Sequence, residues 1–560
     1  GTYTVATAAS YTGDANNIIV NFPGRGPDTT TFVDGNALKF TAQAGGDAKD
    51  LLWRGNMSGA WDVETTENWV VNDANDNIPE KFFEFDTLTF DDTAPNKTIT
   101  VGTGVLVKPG PNSGGTPIVI NTDTSYSFTG AGAIIGATGL TKTGSGNLVM
   151  QLPNTYTGPT SLSGGGTIDI LNFGGAFGTG ALTLDGVTLV GTNFGMSNSS
   201  MIIPAATTST VNAIAPGTAG SGGAVTLPTL TGDGTLNVTT TLADKWYALN
   251  GLAGFTGTLN LTGVDAGTPM HVRLTTAGGG ADLSDVVLNM NDARISNRQG
   301  GAAGGIATFE IGEVHSDTNS QMRAYEGGGT AQNANWQIGA LNTNSDFAGL
   351  IVDNPPTGAP ATISHVTKVG DGILTLTGVN TYTGMTRVWD GTLSISNAYL
   401  ANAADVALSP AYGAIFNLDF VGADTIDSLF FDGVSQATGT WGAVGSGADH
   451  EHASFTGTGM LLVSTQPTPI LVGDYNGDGS VDAADYVVWR KAVGAAAILN
   501  RNPTNFGAIG QREFIDWRIH FGKTSPGSGS GVNEAVPEPT AWLLSGIALG
   551  AACWLRRKRA

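Results

Sequence analysis

Residues 140–164 and 366–390 are two copies of one segment, with eleven of 25 aligned positions identical. The first runs Leu140-Thr-Lys-Thr-Gly-Ser-Gly-Asn-Leu148 and continues to Asn154-Thr-Tyr-Thr-Gly158. The second runs Val366-Thr-Lys-Val-Gly-Asp-Gly-Ile-Leu374 and continues to Asn380-Thr-Tyr-Thr-Gly384. Each is followed by a Gly turn and another short strand, Thr167-Ile-Asp-Ile170 or Thr392-Leu-Ser-Ile395, and fainter echoes lie at 232–236 and 254–261. Leu374, Leu376, Val388, Leu393 and Ile395 fall on one inward face. Gly144, Gly146, Gly370 and Gly372 stand where corners need positive φ. Asn154 and Asn380 are placed to bond turn backbone, and Tyr156 and Tyr382 to cap the turn. A unit this small cannot bury its face alone, so units must stack. The expected fold is mainly β, a right-handed parallel β-helix or β-solenoid. An antiparallel β-sandwich array is the alternative.

Composition agrees with short strands and tight turns. Gly numbers 82 of 560 residues, and charged residues are 13%, about half the usual ~25%. Net charge is −22, and no basic stripe interrupts it, which argues against nucleic-acid binding. The acidity suits a secreted protein that binds cations. Cys553, near the C-terminal end, is the only cysteine, so the body has no disulfide, no Cys nucleophile and no thiolate metal site.

The two copies resemble the autotransporter-associated β-strand repeat, also called the passenger-associated transport repeat. Its form is close to Leu-x-Lys-x-Gly-x-Gly-x-Leu followed by Asn-x-Tyr-x-Gly-x-Thr. Two further segments are similar to stretches of such proteins. One, within 51–99, carries Trp53, Gly55, Trp61, Asp62, Asn68, Trp69 and the run Asp86-Thr-Leu-Thr-Phe90; the other runs from Asp424 to Gly433 and on to Trp441 and Gly442. The resemblance implies an exported β-helical stalk or adhesin-like body with no catalytic residues. The chain carries a sorting-type tail where an autotransporter carries its barrel, so the resemblance does not imply the autotransport route.

Residues 474–485 read Asp-Tyr-Asn-Gly-Asp-Gly-Ser-Val-Asp-Ala-Ala-Asp. Oxygen ligands for calcium fall at positions 1, 3, 5, 7, 9 and 12 of an EF-hand-type loop. They are Asp474, Asn476, Asp478, the Ser480 carbonyl, Asp482 and Asp485, with Gly479 at the sharp turn. Asp485 is shorter than the Glu usual at position 12. A helix should follow to Val493, stopped by Gly494. A second loop and helix align over 502–522, but Thr504 and Phe506 occupy ligand positions, so that loop should bind calcium poorly. The pair resembles a type I dockerin of divergent, planctomycete-like form, which implies a calcium-ordered module able to recruit a cohesin-like protein.

The last 24 residues have three parts. Pro537-Glu538-Pro539 leads into the apolar run 541–555, bracketed by Trp542 and Trp554 and opened and closed by Ala541 and Leu555. Arg556, Arg557, Lys558 and Arg559 follow. As a helix the run would reach about 22 Å, short of a ~30 Å hydrocarbon core. The order resembles the PEP-CTERM sorting signal, which implies an exosortase-like processing protease, transient membrane anchoring through the helix and delivery to the envelope, cell surface or extracellular matrix. An export leader is then expected to have preceded Gly1, unless the chain is a fragment.

Catalytic motifs are missing: there is no G-x-S-x-G elbow, no H-E-x-x-H and no Walker loop. His450 and His452 beside Asp449 fit a polar loop better than a metal site. His271 with Arg273, and His315 near Glu313, are uncommitted. The expected organisation is a β segment at 1–50 and a solenoid at 51–465 with repeats at 140–170 and 366–396. A dockerin-like module at 466–524, a Gly/Ser linker at 525–536 and the sorting signal at 537–560 follow. The expected function is a non-catalytic exported adhesin or scaffold, with extracellular polysaccharide or a cohesin-like protein as partner. A carbohydrate-active enzyme on the same solenoid is one alternative. Partner recruitment through the dockerin-like module is the other.

Overall fold

The computed structural model describes residues 2–7, 29–34, 37–42, 47–73, 78–110, 118–170, 175–191, 196–214, 225–241, 246–249, 251–252, 254–265, 269–274, 282–297, 305–325, 332–354 and 362–525. The pro-rich, apolar and basic parts of the tail, from Pro537, Glu538 and Pro539 through Arg559, lie outside them. Among the described residues no helix is long and apolar enough to cross a membrane. The chain divides into one unit of 1–431 with 435–467 and a second of 432–434 with 468–560.

Short strands with alternating burial make the first unit a parallel β-solenoid. Thr167–Ile170 and Leu182–Leu184 each bury every second residue, the signature of a strand with one face on a core. The first face stacks Asp50–Trp53, Thr87–Asp91, Ile118–Asn121, Leu140–Thr143, Thr160–Leu162, Leu182–Leu184, Ser200–Ile203 and Thr229–Gly232 in parallel. The second stacks Thr98–Val101, Tyr126–Gly130, Leu148–Met150, Thr167–Ile170, Thr188–Gly191, Thr208–Ala213, Thr235–Thr240, Thr258–Thr262 and Asp282–Asn291. A third face begins at Val225–Leu227 and continues through Trp246–Leu249, Met270–Leu274, Ala293–Asn297, Gln321–Arg323 and Leu350–Val352.

Two long strands, Asp282–Asn291 and Ile306–Ser316, turn the corner between first and second faces, with a register shift between Leu283 and Val287. Beyond them the faces separate again. Ile306 to Ile311 pairs with Asn333–Ile338, and His315 with Asp346. The parallel registers exclude the β-sandwich alternative.

The repeat is a coil. Leu140 pairs with Thr160 and Leu148 with Ile168, so one copy holds a whole turn and the start of the next. The second copy does the same, with Val366 on Thr386 and Leu374 on Leu393. The buried polar residues that the two copies share are interior fittings. Lys142 and Lys368 are fully buried. The Lys142 Nζ donates to the carbonyls of Gly144 (2.5 Å) and Gly165 (2.8 Å), holding the corners of two coils. Asn154 accepts from Ile134 N (2.9 Å) and donates to Ala176 O (2.8 Å), so it ties its own coil to both neighbours. The Tyr156 and Tyr382 hydroxyls meet Thr160 Oγ1 (2.6 Å) and Thr386 Oγ1 (2.7 Å).

The corner glycines are of two kinds, which corrects the expectation that all four need positive φ. Gly144 (φ +78°) and Gly370 (φ +71°) are left-handed. Gly146 and Gly372 are glycines because a Cβ would come within 2.0 Å of Thr124 O or 1.9 Å of Thr343 O on the preceding coil.

One continuous apolar core runs through the stack, closed at its ends by other chemistry. At the N-terminal end Trp53, Trp61, Trp69, Phe82 and Phe90 pack ring against ring, and Asp50–Trp53 pairs antiparallel with Trp69–Val71. Asn68 is buried there, accepting from Met57 N and Ser58 N and donating to Ala60 O. At the other end Ala423–Ile426, Met460–Val463, Gly439–Gly442 and His450–Glu451 form a separate four-stranded sheet with parallel and antiparallel pairs.

In the second unit, helix α1 (Ala483–Ala492) and helix α2 (Gln511–His520) pack around Tyr475, Trp489 and Ile509. Tyr486, Phe514 and Trp517 complete the aromatic centre.

Candidate functional site

On the second face, strands at 208–213, 235–240, 258–262 and 282–291 turn Val211, Val238, Leu261 and Met290 inward, all buried. The alternate positions therefore face outward, and the parallel register stacks them. Thr210, Asn237, Asn260, Asn289 and His315 follow one another coil by coil, and Asp346 comes next. Asn289 Nδ2 donates to Asn260 Oδ1 (2.7 Å), Asn260 Nδ2 to Asn237 Oδ1 (2.7 Å), and Asn237 Nδ2 to Thr210 Oγ1 (3.3 Å). The amides point the same way, head to tail. An amide offers two N–H donors and two lone pairs, and the row uses about half of these. The row lines an open groove of about 510 Å³, flanked by Thr239, Thr262, Asn291 and Ser316.

An ionic cluster closes the row. His315 Nε2 bonds Glu313 Oε1 (2.6 Å) and Nδ1 bonds Asp346 Oδ1. Thr343 donates to the other Glu313 oxygen. Burial alone would lower the His315 pKa, but the two carboxylates outweigh it and raise the value above the ordinary one. Burial pushes Glu313 up, and its bonds from Thr343 and His315 more than offset that, leaving it below the usual range. Both ring nitrogens are engaged, so the cluster suits a fixed charge better than proton transfer. The Asn row itself carries amide and hydroxyl groups, which bind and orient hydroxyls. His315 near Glu313 is legible in the sequence, whereas the Asn row emerges only through the register. Its signal was an Asn at the same place in successive Leu-x-Leu strands: Leu236-Asn-Val238, Leu259-Asn-Leu261 and Leu288-Asn-Met290.

The calcium-loop residues lie together before α1. Asp474 is buried, and its carboxylate accepts from the backbone N–H of Gly477 (2.8 Å), Asp478 (3.1 Å) and Gly479 (3.0 Å). Asn476 donates to Asp478 Oδ2 (2.8 Å), and Asp478 accepts from Ser480 N (2.9 Å). Asp482 caps α1, and Asp485 accepts from Asn476 N (2.9 Å) and Asp482 N (2.8 Å). Burial, reinforced by the nearby Asp474 charge, raises the Asp485 pKa. Gly479 has φ +89°, the turn the loop pattern requires. The donors fit calcium in kind, being hard oxygens on one loop. Among the described residues no three His, Cys, Asp or Glu side chains converge as a metal cluster. The Asn476 amide and Ser480 carbonyl would have to complete a set.

The second loop is held differently. Arg501 bonds Glu513 Oε1 through Nε (2.9 Å) and Nη2 (2.8 Å), and Nη2 also donates to Gly507 O (2.9 Å). Asn505 donates to Asp516 Oδ2 (2.6 Å), and Asn502 to Asp516 Oδ1 (2.9 Å). A guanidinium thus sits among the oxygens where a calcium loop would hold its ion. Arg501, just before the first loop position, was the readable signal.

His450 and His452 do not converge. The His450 Nε2 meets Thr438 O (3.1 Å) and the ring stacks on Trp441, whereas His452 packs on Phe431 and accepts from Ser454 N. Glu451 accepts from Gly445 and Gly447, which lowers its pKa.

Comparison with known proteins places residues 140–170 and 366–395 in the passenger-associated-transport-repeat family model. The chain is also similar to the adhesin BmaC autotransporter of Brucella suis biovar 1, 27% identical over 316 residues. That match takes in 54% of this chain and 8% of the relative's length. No solved structure matches the chain.

Proposed function

We propose that this chain is an exported surface or matrix protein, adhesin-like and non-catalytic, whose solenoid presents a hydroxyl-rich polysaccharide with the Asn row of the second face. The carrying observation is the row itself. Thr210, Asn237, Asn260 and Asn289 repeat at the coil spacing of roughly 4.8 Å, about the length of a pyranose ring. Amides fixed on a rigid sheet lose little entropy on binding. The repeats and the similarity to an adhesin support display over turnover.

In this reading the loop at 474–485 takes one calcium ion through Asp474, Asn476, Asp478, Ser480, Asp482 and Asp485, and the helices after it can receive a cohesin-like protein. Pro537, Glu538 and Pro539 direct an exosortase-like protease, which releases the chain from a transient membrane anchor. These steps rest on the sequence patterns.

The test incubates the full chain with neutral and acidic extracellular polysaccharides and scores retention together with new reducing or unsaturated ends. Retention without products, weakened at least fivefold for a neutral glycan by Asn237→Ala with Asn260→Ala, is the expected result. Product release that survives purification would make the chain an enzyme and overturn the reading.

A further inference from the structure

The third face has an outer surface unlike the rest of this acidic molecule. Its strands, 225–227, 246–249, 270–274, 293–297, 321–323 and 350–352, contain three Arg and one His and no Asp or Glu. The whole chain has 47 acidic residues against 25 Lys and Arg, so a sheet with that bias is not a sample of the average. Register sets the cationic groups in two adjacent rows. Trp246, His271, Arg294 and Gln321 form one; Ala248, Arg273, Ser296 and Arg323 form the other.

The rows are knitted together. The Arg273 guanidinium lies 3.6 Å from the Trp246 ring centre, and the Trp246 and His271 rings are 4.1 Å apart. Arg294 Nη1 is 3.3 Å from His271 Nε2, and Arg323 Nε donates to Gln321 Oε1 (3.0 Å). Between Arg273 and Arg323 in the second row lies Ser296, buried, with a hydroxyl that no protein group meets.

We propose that this face binds an acidic polysaccharide, its carboxylate or sulfate groups held by Arg273, Arg294 and Arg323. Guanidinium is the side chain whose planar fork matches those anions. Arg294 stands one coil from both others, and Arg273 and Arg323 stand two coils apart, roughly 10 Å at the strand spacing. Sites at those intervals suit a polymer with a charge on alternate or successive sugars. Duplex nucleic acid, with one charge per ~1.7 Å, meets too few cations here and too much repulsion from the rest of the chain. This site is separate from the Asn row, so either can fail alone.

The test uses the full chain at 0.15 M salt with polygalacturonate, dextran of similar length and single-stranded DNA, measured by calorimetry. Polygalacturonate should bind at least tenfold tighter than dextran or DNA. Arg273→Gln with Arg294→Gln and Arg323→Gln should remove at least tenfold of that affinity, while Arg490→Gln, at an exposed arginine of helix α1, leaves it within twofold. Arg323→Gln alone, at the end of its row, covers the case of a triple variant that does not fold; it should cost at least threefold at an unchanged melting temperature. Undiminished affinity in folded variants, equal binding of dextran, tighter binding of DNA, or release of unsaturated ends would each overturn the proposal.

Discussion

Lys142 and Lys368 show how a charged residue becomes part of a core. Each Nζ is surrounded by corner carbonyls: Gly144, Ser163 and Gly165 in the first copy, Val369, Gly370 and Asp390 in the second. Lys142→Met keeps the stem and strands those acceptors, so it should lower unfolding stability by about 1–3 kcal/mol in a urea titration. Burial pushes the Lys368 pKa down to about 8, with Asp390 and Asp371 pulling it back up. The folded chain therefore binds fewer protons than the unfolded one between pH 8 and the ordinary lysine value, and stability rises with pH across that interval. The midpoint difference between the wild-type chain and Lys368→Met should grow in favour of Lys368 from pH 8 to 10. A constant difference would mean that the amine stays charged throughout. Glycine offers a sharper contrast. Gly146→Ala drives a Cβ into Thr124 O at 2.0 Å, whereas at Gly104 (φ +78°) a Cβ meets nothing within 4 Å. Gly104→Ala should cost about 1 kcal/mol of backbone strain and Gly146→Ala clearly more, because two coils must part.

At the level of strands and loops, the chain was legible where one unit repeats and opaque where coils differ. Leu140, Lys142, Asn154 and Tyr156 announce a coil because each makes a contact that every such coil needs. The third face announced nothing, since its strands carry no shared motif and exist through their pairing alone. The Asn row was visible only as isolated Asn residues until register stacked them, and His315 met Asp346 across a sequence gap no local pattern spans. The His315 cluster makes a pH prediction. Glu313 from its own strand, Asp346 from the next coil and Asn289 from the preceding one surround the ring. Its raised pKa gives stability that is fully present below about 6.5, the ordinary His value, and is lost as pH climbs through the folded value. His315→Gln should therefore be less stable than the wild-type chain near pH 6, with the gap closing towards pH 9; melting curves of both across that range decide it. In the helical unit, the first loop follows the calcium pattern and the second substitutes Arg501 for an ion. Calorimetry on the full chain should find one calcium site, abolished by Asp474→Ala and retained in Arg501→Gln. Two sites would mean that the guanidinium yields to calcium.

The whole molecule sets the long-range conditions under which either sheet face can work. A net charge of −22 repels any polyanion at a distance, yet the third-face strands are locally cationic. These two effects respond differently to salt. At ~0.01 M the screening length is about 30 Å, so an approaching acidic glycan feels most of the chain's charge; at ~0.15 M it shrinks to about 8 Å and the glycan senses mainly what lies beneath it. Direct guanidinium contacts survive that first change and weaken only when salt competes for them at higher strength. Affinity for polygalacturonate should therefore pass through a maximum as salt rises from 0.01 to 0.5 M, where a simple basic protein would show a continuous decline. Neutral glycan on the Asn row has no charge to be steered or screened, so its affinity should stay flat over the same series. A monotonic fall for the acidic glycan would mean that the solenoid's acidic remainder lies too far from the Arg rows to matter. A rise without a maximum would place the binding on contacts that carry no charge.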